Sequence, residues 1–115
     1  MIEIYHNPRC RKSREGLAIV ESSGQDYKII KYLENTPSKK ELAIVLSSLS
    51  FSPLQLVRKN EAIWKEKFKN KALTDDQIIE AMIKYPKLIE RPIVIKGNKA
   101  VIGRPAENII ELLEN

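Results

Sequence analysis

The chain opens with an alternation of apolar and polar residues that gives way to helical spacing. Ile2, Ile4 and the apolar body of Tyr5 predict a short β-strand. Pro8 ends this strand, because proline has no N–H to donate to a central ladder. Over residues 10–23, apolar side chains recur on one face, and this pattern predicts a helix.

A second strand follows this helix. Gly24 suits the left-handed conformation that ends many helices, and residues 27–33 are rich in β-branched and aromatic side chains, which favour strands. The order strand, helix, strand predicts two parallel strands joined by a right-handed crossover. The loop after the first strand then lies at the sheet edge where α/β proteins bind ligands.

The middle of the chain carries helix signals. Ser38 with Glu41, and Thr74 with Gln77, form capping boxes, and each box precedes an apolar face at helical spacing. Shorter helical segments are expected between these two helices. We therefore predict a helical insertion over about residues 38–86.

The last third of the chain returns to strands. Residues 92–96 and 100–102 flank the turn Gly97-Asn98-Lys99, which predicts a β-hairpin, and Pro105 suits the first turn of a final helix. These elements predict an α/β chain of the thioredoxin-like class. It would be a single domain over residues 1–115, with a four-stranded mixed sheet, flanking helices and the helical insertion.

Composition and charge indicate the cellular location of the protein and the kind of partner that it binds. The 115 residues include 43% hydrophobic and 30% charged residues, with no basic leader before an apolar stretch and no apolar run of about 18 residues. We therefore expect a cytoplasmic protein that does not bind a membrane. The net charge of +5 favours anionic partners. Nucleic acid is not expected among them, because acidic residues are interspersed with the basic ones and only 6% of residues are aromatic.

The sequence contains one cysteine, Cys10, at the predicted start of the first helix. A single thiol cannot form an internal disulfide or a cysteine-rich zinc site, so no metal ion or bound cofactor is expected, and redox chemistry would need a second thiol from another molecule. A free cysteine has a pKa of about 8.5, whereas nucleophilic attack needs the thiolate. Helix N–H groups and the positive end of the helix dipole would stabilise that anion.

The neighbours of Cys10 support a reactive thiol. Ser13 could donate its hydroxyl to the sulfur, and His6 is near enough in sequence to assist, although a role in loop packing is an equal alternative for this histidine. Cys10 could instead be a small core residue. The charged side chains beside it disfavour that alternative, because they cannot readily be buried with it. They are Arg9, Arg11, Lys12 and Arg14.

Four segments, in order, resemble one known family. The segment Tyr5-His6-Asn7-Pro8-Arg9-Cys10, followed by Ser13-Arg14, resembles the opening of arsenate reductases of the glutaredoxin-dependent class. Three later segments resemble that family's Arg-Lys-Asn, Arg-Pro-Ile-Val and final Arg-Pro motifs. They are residues 56–60, 88–94 and 103–105.

The resemblance implies a site and a mechanism. Cys10 would be the nucleophile, and arsenate would be bound by three arginines, whose paired donors suit an oxyanion better than lysine does. Glutathione would be the co-substrate and glutaredoxin the protein partner. Together they would resolve the adduct, and arsenite would then leave. The implied arsenate ligands are Arg58, Arg91 and Arg104. The supporting residues are His6, Asn7, Ser13, Arg14 and Pro92, of which Pro92 is similar to the cis-proline beside the reactive cysteine of thioredoxin-like proteins.

Two other functions remain open from the sequence. Spx-type regulators share the fold and bind RNA polymerase, but they typically carry a two-cysteine redox switch and lack the final Arg-Pro pair. This chain has Ser13 in place of a second cysteine and contains Arg104-Pro105. The second alternative is a glutathione-dependent thiol reductase that acts on a different substrate.

Overall fold

The computed structural model describes residues 1–114, which form two compact units. The first unit combines Met1–Asn35 with residues 91–114, and the second is Thr36–Glu90. The second unit spans the segment predicted as a helical insertion over 38–86. That the whole chain is a single domain over residues 1–115 stays a prediction.

A four-stranded mixed sheet forms the centre of the first unit. The strands are β1 (Ile2–Tyr5), β2 (Tyr27–Ile30), β3 (Ile93–Lys96) and β4 (Lys99–Ile102). Their spatial order is β2-β1-β3-β4; β1 runs parallel to β2 and antiparallel to β3, which is itself antiparallel to β4. The predicted βαβ opening, the hairpin and the mixed sheet are thereby confirmed.

Two helices of the first unit flank this sheet, α1 (Arg11–Ser22) and α6 (Glu107–Glu114). Apolar residues of both helices and of β1 and β3 form one buried cluster, so burial of their apolar faces holds the unit together. The cluster consists of Ile2, Ile4, Val20, Val94, Ile109, Leu112 and Leu113. The other α-helices within residues 1–114 are α2 (Lys39–Leu49), α3 (Pro53–Leu56), α4 (Ala62–Lys67) and α5 (Asp75–Lys84).

The second unit is helical. It contains α2 to α5 and a 3-10 turn at Pro86–Leu88, and α5 packs against both α2 and α3. Both predicted capping boxes are present. The Ser38 side chain accepts a hydrogen bond from the Glu41 N–H at 3.1 Å, and the Thr74 side chain accepts one from the Gln77 N–H at 3.2 Å.

The structure corrects the boundaries of β2 and of the hairpin turn. β2 ends at Ile30 instead of continuing to residue 33, because its neighbour β1 ends at Tyr5, and the chain then turns with Asn35 N–H donating to the Lys31 carbonyl at 2.8 Å. The hairpin turn contains only Gly97 and Asn98, since the next residue already pairs in β4.

The prediction for Pro105 was also wrong. Helix α6 begins at Glu107, and the Arg104–Pro105 peptide bond is cis. Pro105 lies in the turn before the helix, where its carbonyl accepts a hydrogen bond from Asn108 N–H at 3.1 Å. A chain that turns at Pro105 cannot already follow the helical path there.

Candidate active site

Cys10 is the residue at which the loop after β1 becomes helix α1. It is the N-cap of α1 and has extended backbone angles, φ −98° and ψ 122°. Asn7 shapes the preceding turn, because its carbonyl accepts from Cys10 N–H at 3.0 Å and its side-chain oxygen accepts from Arg9 N–H at 3.0 Å. The first turn of α1 thus begins directly after the thiol.

Ser13 holds this loop in place through buried hydrogen bonds. Its side chain is fully buried, its Oγ accepts from Asn7 N–H at 2.9 Å, and the same Oγ lies 2.7 Å from His6 Nδ1. The prediction that the Ser13 hydroxyl binds the sulfur was therefore wrong, because that hydroxyl serves His6 and Asn7. Ser13 reaches Cys10 through its backbone N–H instead.

His6 is buried beside Ser13, and its electrostatics fit a neutral ring. Burial lowers the pKa of His6, and the nearby positive charges of Lys31 and Arg14 lower it further. In the tautomer whose Nδ1 carries no proton, Nδ1 accepts a hydrogen bond from the Ser13 hydroxyl, and the Ser13 oxygen is free to accept from Asn7 N–H. This geometry fits a loop-packing role for His6, and a supporting role in catalysis stays a prediction.

The environment of Cys10 favours its thiolate. Burial alone would raise the pKa of the Cys10 thiol, but the Ser13 N–H, the Arg91 guanidinium and the Lys12 N–H together outweigh burial and lower it. The helix N–H groups act on the sulfur as the sequence predicted, whereas the positive side chain that acts on it is Arg91 and not one of the basic residues beside Cys10 in the sequence.

Two of the predicted arginines stand at Cys10. Arg104 Nη2 lies 3.6 Å from the Cys10 sulfur, and Arg104 Nε donates to the Arg91 carbonyl at 2.8 Å, while the Arg91 side chain also hydrogen-bonds to the thiol. The β3–β4 hairpin explains why Arg91 and Arg104 lie side by side. Ile93 of β3 is the register partner of Ile102 of β4, so the residues just outside this pair leave the same end of the hairpin.

Arg58 belongs to the second unit. Its Nη1 lies 3.0 Å from a carboxylate oxygen of Glu61, and its Nε lies 3.6 Å from one of Glu90. An antiparallel bridge between Val57 and Ile89 brings the backbones on either side together, so this ion pairing is built into the unit. The role of Arg58 as an arsenate ligand stays a prediction.

The remaining basic residues of the loop have separate roles. Arg14 Nη1 donates to the Pro8 carbonyl at 3.0 Å, which ties the helix back to the loop. Arg11 and Lys12 are exposed and pair with Glu15 on the outer face of α1. Of these two residues, Lys12 acts on the thiol through its backbone N–H.

Pro92 follows a cis peptide bond at Arg91–Pro92, as its resemblance to the thioredoxin-like cis-proline implies. Two neighbours that the sequence reasoning missed are Gly16 and Gly103, which leave room for the Pro92 ring. A signal for Gly16 was available, because glycine in a helix interior is costly and often marks a close approach.

Within residues 1–114, no group of three or more His, Cys, Asp or Glu side chains could hold a metal ion. None of the helices in that part is both long and apolar enough to cross a bilayer.

A thiolate next to two guanidinium groups and helix N–H donors can bind an oxyanion and attack its central atom. Fold and site together define a thioredoxin-like protein with a single activated thiol.

Comparison with known proteins gives the family. The ArsC family model matches residues 5–112, and the chain belongs to the ArsC family. The resemblance seen in the four sequence segments is thus confirmed at the level of the family.

Relatives match along nearly the whole chain. YfgD of Escherichia coli K12, an uncharacterised protein, is 40% identical over 114 residues that cover 97% of this chain and 96% of that protein. An arsenate reductase of Neisseria meningitidis serogroup B is 38% identical over 97% of each chain. A solved structure of an arsenate reductase from Vibrio cholerae is 43% identical, covers 96% of this chain and 95% of its own, and has a TM-score of 0.90. These similarities confirm the predicted thioredoxin-like α/β fold class.

Proposed function

We propose that this chain is a cytoplasmic arsenate reductase in which the Cys10 thiolate attacks arsenic. Glutathione and glutaredoxin then supply the reducing thiols. The observation that carries the proposal is the contact of Arg104 Nη2 with the Cys10 sulfur at 3.6 Å, beside the Arg91 guanidinium. Guanidinium groups at a nucleophile suit an anionic substrate. Membership of the ArsC family, and relatives described as arsenate reductases, point to arsenate.

In the first step the Cys10 thiolate attacks arsenic. A sulfur–arsenic bond forms, an arsenic–oxygen bond breaks, and the departing hydroxide takes a proton and leaves as water. Arg91 and Arg104 would hold the oxyanion and stabilise charge that builds on its oxygens. Arsenic remains As(V) at this stage, because no electron pair has yet been transferred to it.

In the second step the glutathione thiol loses its proton to water, and the resulting thiolate attacks the Cys10 sulfur of the adduct. A disulfide forms between Cys10 and glutathione, the sulfur–arsenic bond breaks, and its electron pair stays on arsenic, which leaves as arsenite. The two thiols are oxidised and arsenic is reduced by two electrons. Because Cys10 is the only cysteine of the chain, an external thiol such as glutaredoxin must then reduce the mixed disulfide. Glutathione keeps thiols reduced in the cytoplasm, which fits the expected location.

The resemblance also assigns Arg58 to the bound arsenate, as a third ligand. A guanidinium held by two carboxylates, Glu61 and Glu90, has a fixed orientation, and such pre-orientation suits a ligand-binding role. These ion pairs equally suit a purely structural role. The assignment of Arg58 is therefore part of the proposal.

A coupled assay tests the proposed function. Arsenate-dependent NADPH oxidation is followed with glutathione, glutaredoxin and glutathione reductase, for the wild type and for Cys10→Ser. We expect turnover in the wild type and its loss in the variant. Ser47→Ala, an exposed substitution in α2, is the matched control and should keep wild-type turnover.

Two outcomes would contradict the proposal. Efficient reduction of glutathione mixed disulfides without any arsenate turnover would indicate a thiol reductase with another substrate. Capture of RNA polymerase in a pull-down, again without arsenate turnover, would indicate an Spx-like regulator.

A further inference from the structure

The four glycines of the chain fall into two groups. Gly24 and Gly97 have positive φ angles of 73° and 62°, and an added Cβ would meet nothing within 4 Å, so their role is in the backbone. Gly16 and Gly103 are buried and lack such angles, and at both of them an added Cβ would collide with other side chains. Their role is therefore to leave space.

The space at both glycines is occupied by the same two side chains. A Cβ at Gly16 would lie 2.8 Å from Pro92 Cγ and 3.0 Å from Ile109 Cδ1. A Cβ at Gly103 would lie 2.6 Å from Ile109 Cδ1 and 2.8 Å from Pro92 Cγ. Carbon atoms make good contact at about 3.5–4.0 Å, so either methyl group would force Pro92 or Ile109 to move. Ile109 Cδ1 is the end of a flexible side chain and can rotate, whereas the Pro92 ring cannot rotate away and is fully buried, so its displacement is costly.

Pro92 and Gly103 are the chain neighbours of the two arginines at the thiol. Gly103 N–H donates to the Pro92 carbonyl at 2.9 Å, and Arg104 Nε donates to the Arg91 carbonyl at 2.8 Å. Hydrogen bonds thus join the Arg91–Pro92 segment to the Gly103–Arg104 segment at successive residues. A shift of the Pro92 ring would be passed to both arginines.

We propose that Gly16 and Gly103 are positioning residues for the thiol: by admitting the Pro92 ring between them, they set Arg91 and Arg104 against Cys10. The inference deepens the proposed function and rests on it for the role of the site in arsenate chemistry. The reactivity of the Cys10 sulfur can be measured without arsenate. Failure of the positioning role can therefore be told from failure of the proposed arsenate reductase activity.

The test is the pH dependence of Cys10 alkylation by iodoacetamide in Gly103→Ala and Gly16→Ala. Only the thiolate reacts, so the midpoint of the profile reports on its stabilisation. We expect both midpoints to move to higher pH than in the wild type, with alkylation at pH 7 slowed by about threefold or more. Gly16→Ala keeps the experiment decisive if Gly103→Ala does not fold, because alanine favours the helix that contains residue 16.

A destabilised control separates positioning from simple loss of packing. Ile2→Ala removes a core side chain at the start of β1 and should lower the melting temperature without moving the alkylation midpoint. The proposal is overturned if the glycine variants lower the melting temperature while their alkylation profile stays that of the wild type. In the coupled assay, if arsenate is the substrate, the glycine variants should also show a raised KM for arsenate.

Discussion

At the scale of single residues, the first turn of α1 places beside the thiol groups that do not need to reorganise when the thiolate forms. The Ser13 and Lys12 N–H groups are fixed by the helix, and the Ser13 side chain is fixed by His6 and Asn7. Fixed dipoles of this kind stabilise an anion without the cost of ordering water around it. The sequence predicted the thiol and its helix end. It could not predict which atom of Ser13 serves the sulfur, because that depends on how the buried loop closes.

The Arg91 guanidinium lowers the pKa of the Cys10 thiol. Arg91→Met removes the guanidinium while keeping a long side chain, so the Cys10 pKa should rise and alkylation at pH 7 should slow by roughly three- to tenfold. The measurement is the iodoacetamide rate as a function of pH. Arg11→Met, at an exposed residue paired with Glu15, is the control and should leave the profile near that of the wild type. Equal profiles for both variants would show that Arg91 does not act on the sulfur.

His6 makes stability depend on pH. Its folded-state pKa lies below the unfolded value of about 6.5, so the folded state disfavours the proton that the unfolded chain accepts. Stability should therefore be complete above pH 6.5 and should fall, by at most about 1.4 kcal/mol per pH unit, as the pH drops towards 5. Urea unfolding at several pH values measures the slope.

His6 is the only histidine of the sequence, which makes the assignment direct. His6→Gln keeps a polar side chain and removes the titration in this range. The variant should lose most of the slope between pH 7 and 5, whereas an unchanged slope would assign it to carboxylates instead.

At the scale of elements, helix ends were predicted well where a local signal sets them. Ser38 with Glu41 and Thr74 with Gln77 carry their own capping partners, so the sequence specifies both helix starts. The ends of β2 and the start of α6 were misplaced. Those boundaries depend on where β1 ends and on the path of the chain at Pro105, which are properties of the fold rather than of the local sequence.

The cap of α5 offers a test at this scale. Thr74→Ala removes the acceptor of the Gln77 N–H and should lower the free energy of unfolding by about 1 kcal/mol. Urea denaturation gives the value. Ser47→Ala, on the exposed side of α2, should change stability by less than about 0.5 kcal/mol. A Thr74 variant as stable as this control would mean that the capping box does not support the helix.

At the scale of the whole molecule, the sequence predicted more of the fold than of the site. The order of strands and helices follows from periodicity and turn residues, and it proved sufficient for the four-stranded sheet. The site depends on contacts between residues far apart in sequence, such as Cys10 with Arg104 and Gly16 with Pro92. Periodicity carries no information about such contacts. Only the resemblance to a family pointed to Arg91 and Arg104.

The most direct test of the account is a single turnover without glutaredoxin. Anaerobic wild-type protein is mixed with arsenate and glutathione, and arsenite and the intact protein mass are measured together. We predict one arsenite per protein and a matching amount of protein with glutathione in disulfide linkage to Cys10, neither of which Cys10→Ser should give. Arsenite formed without modification of Cys10, or a glutathione adduct that forms equally well without arsenate, would contradict the central role of the Cys10 thiolate.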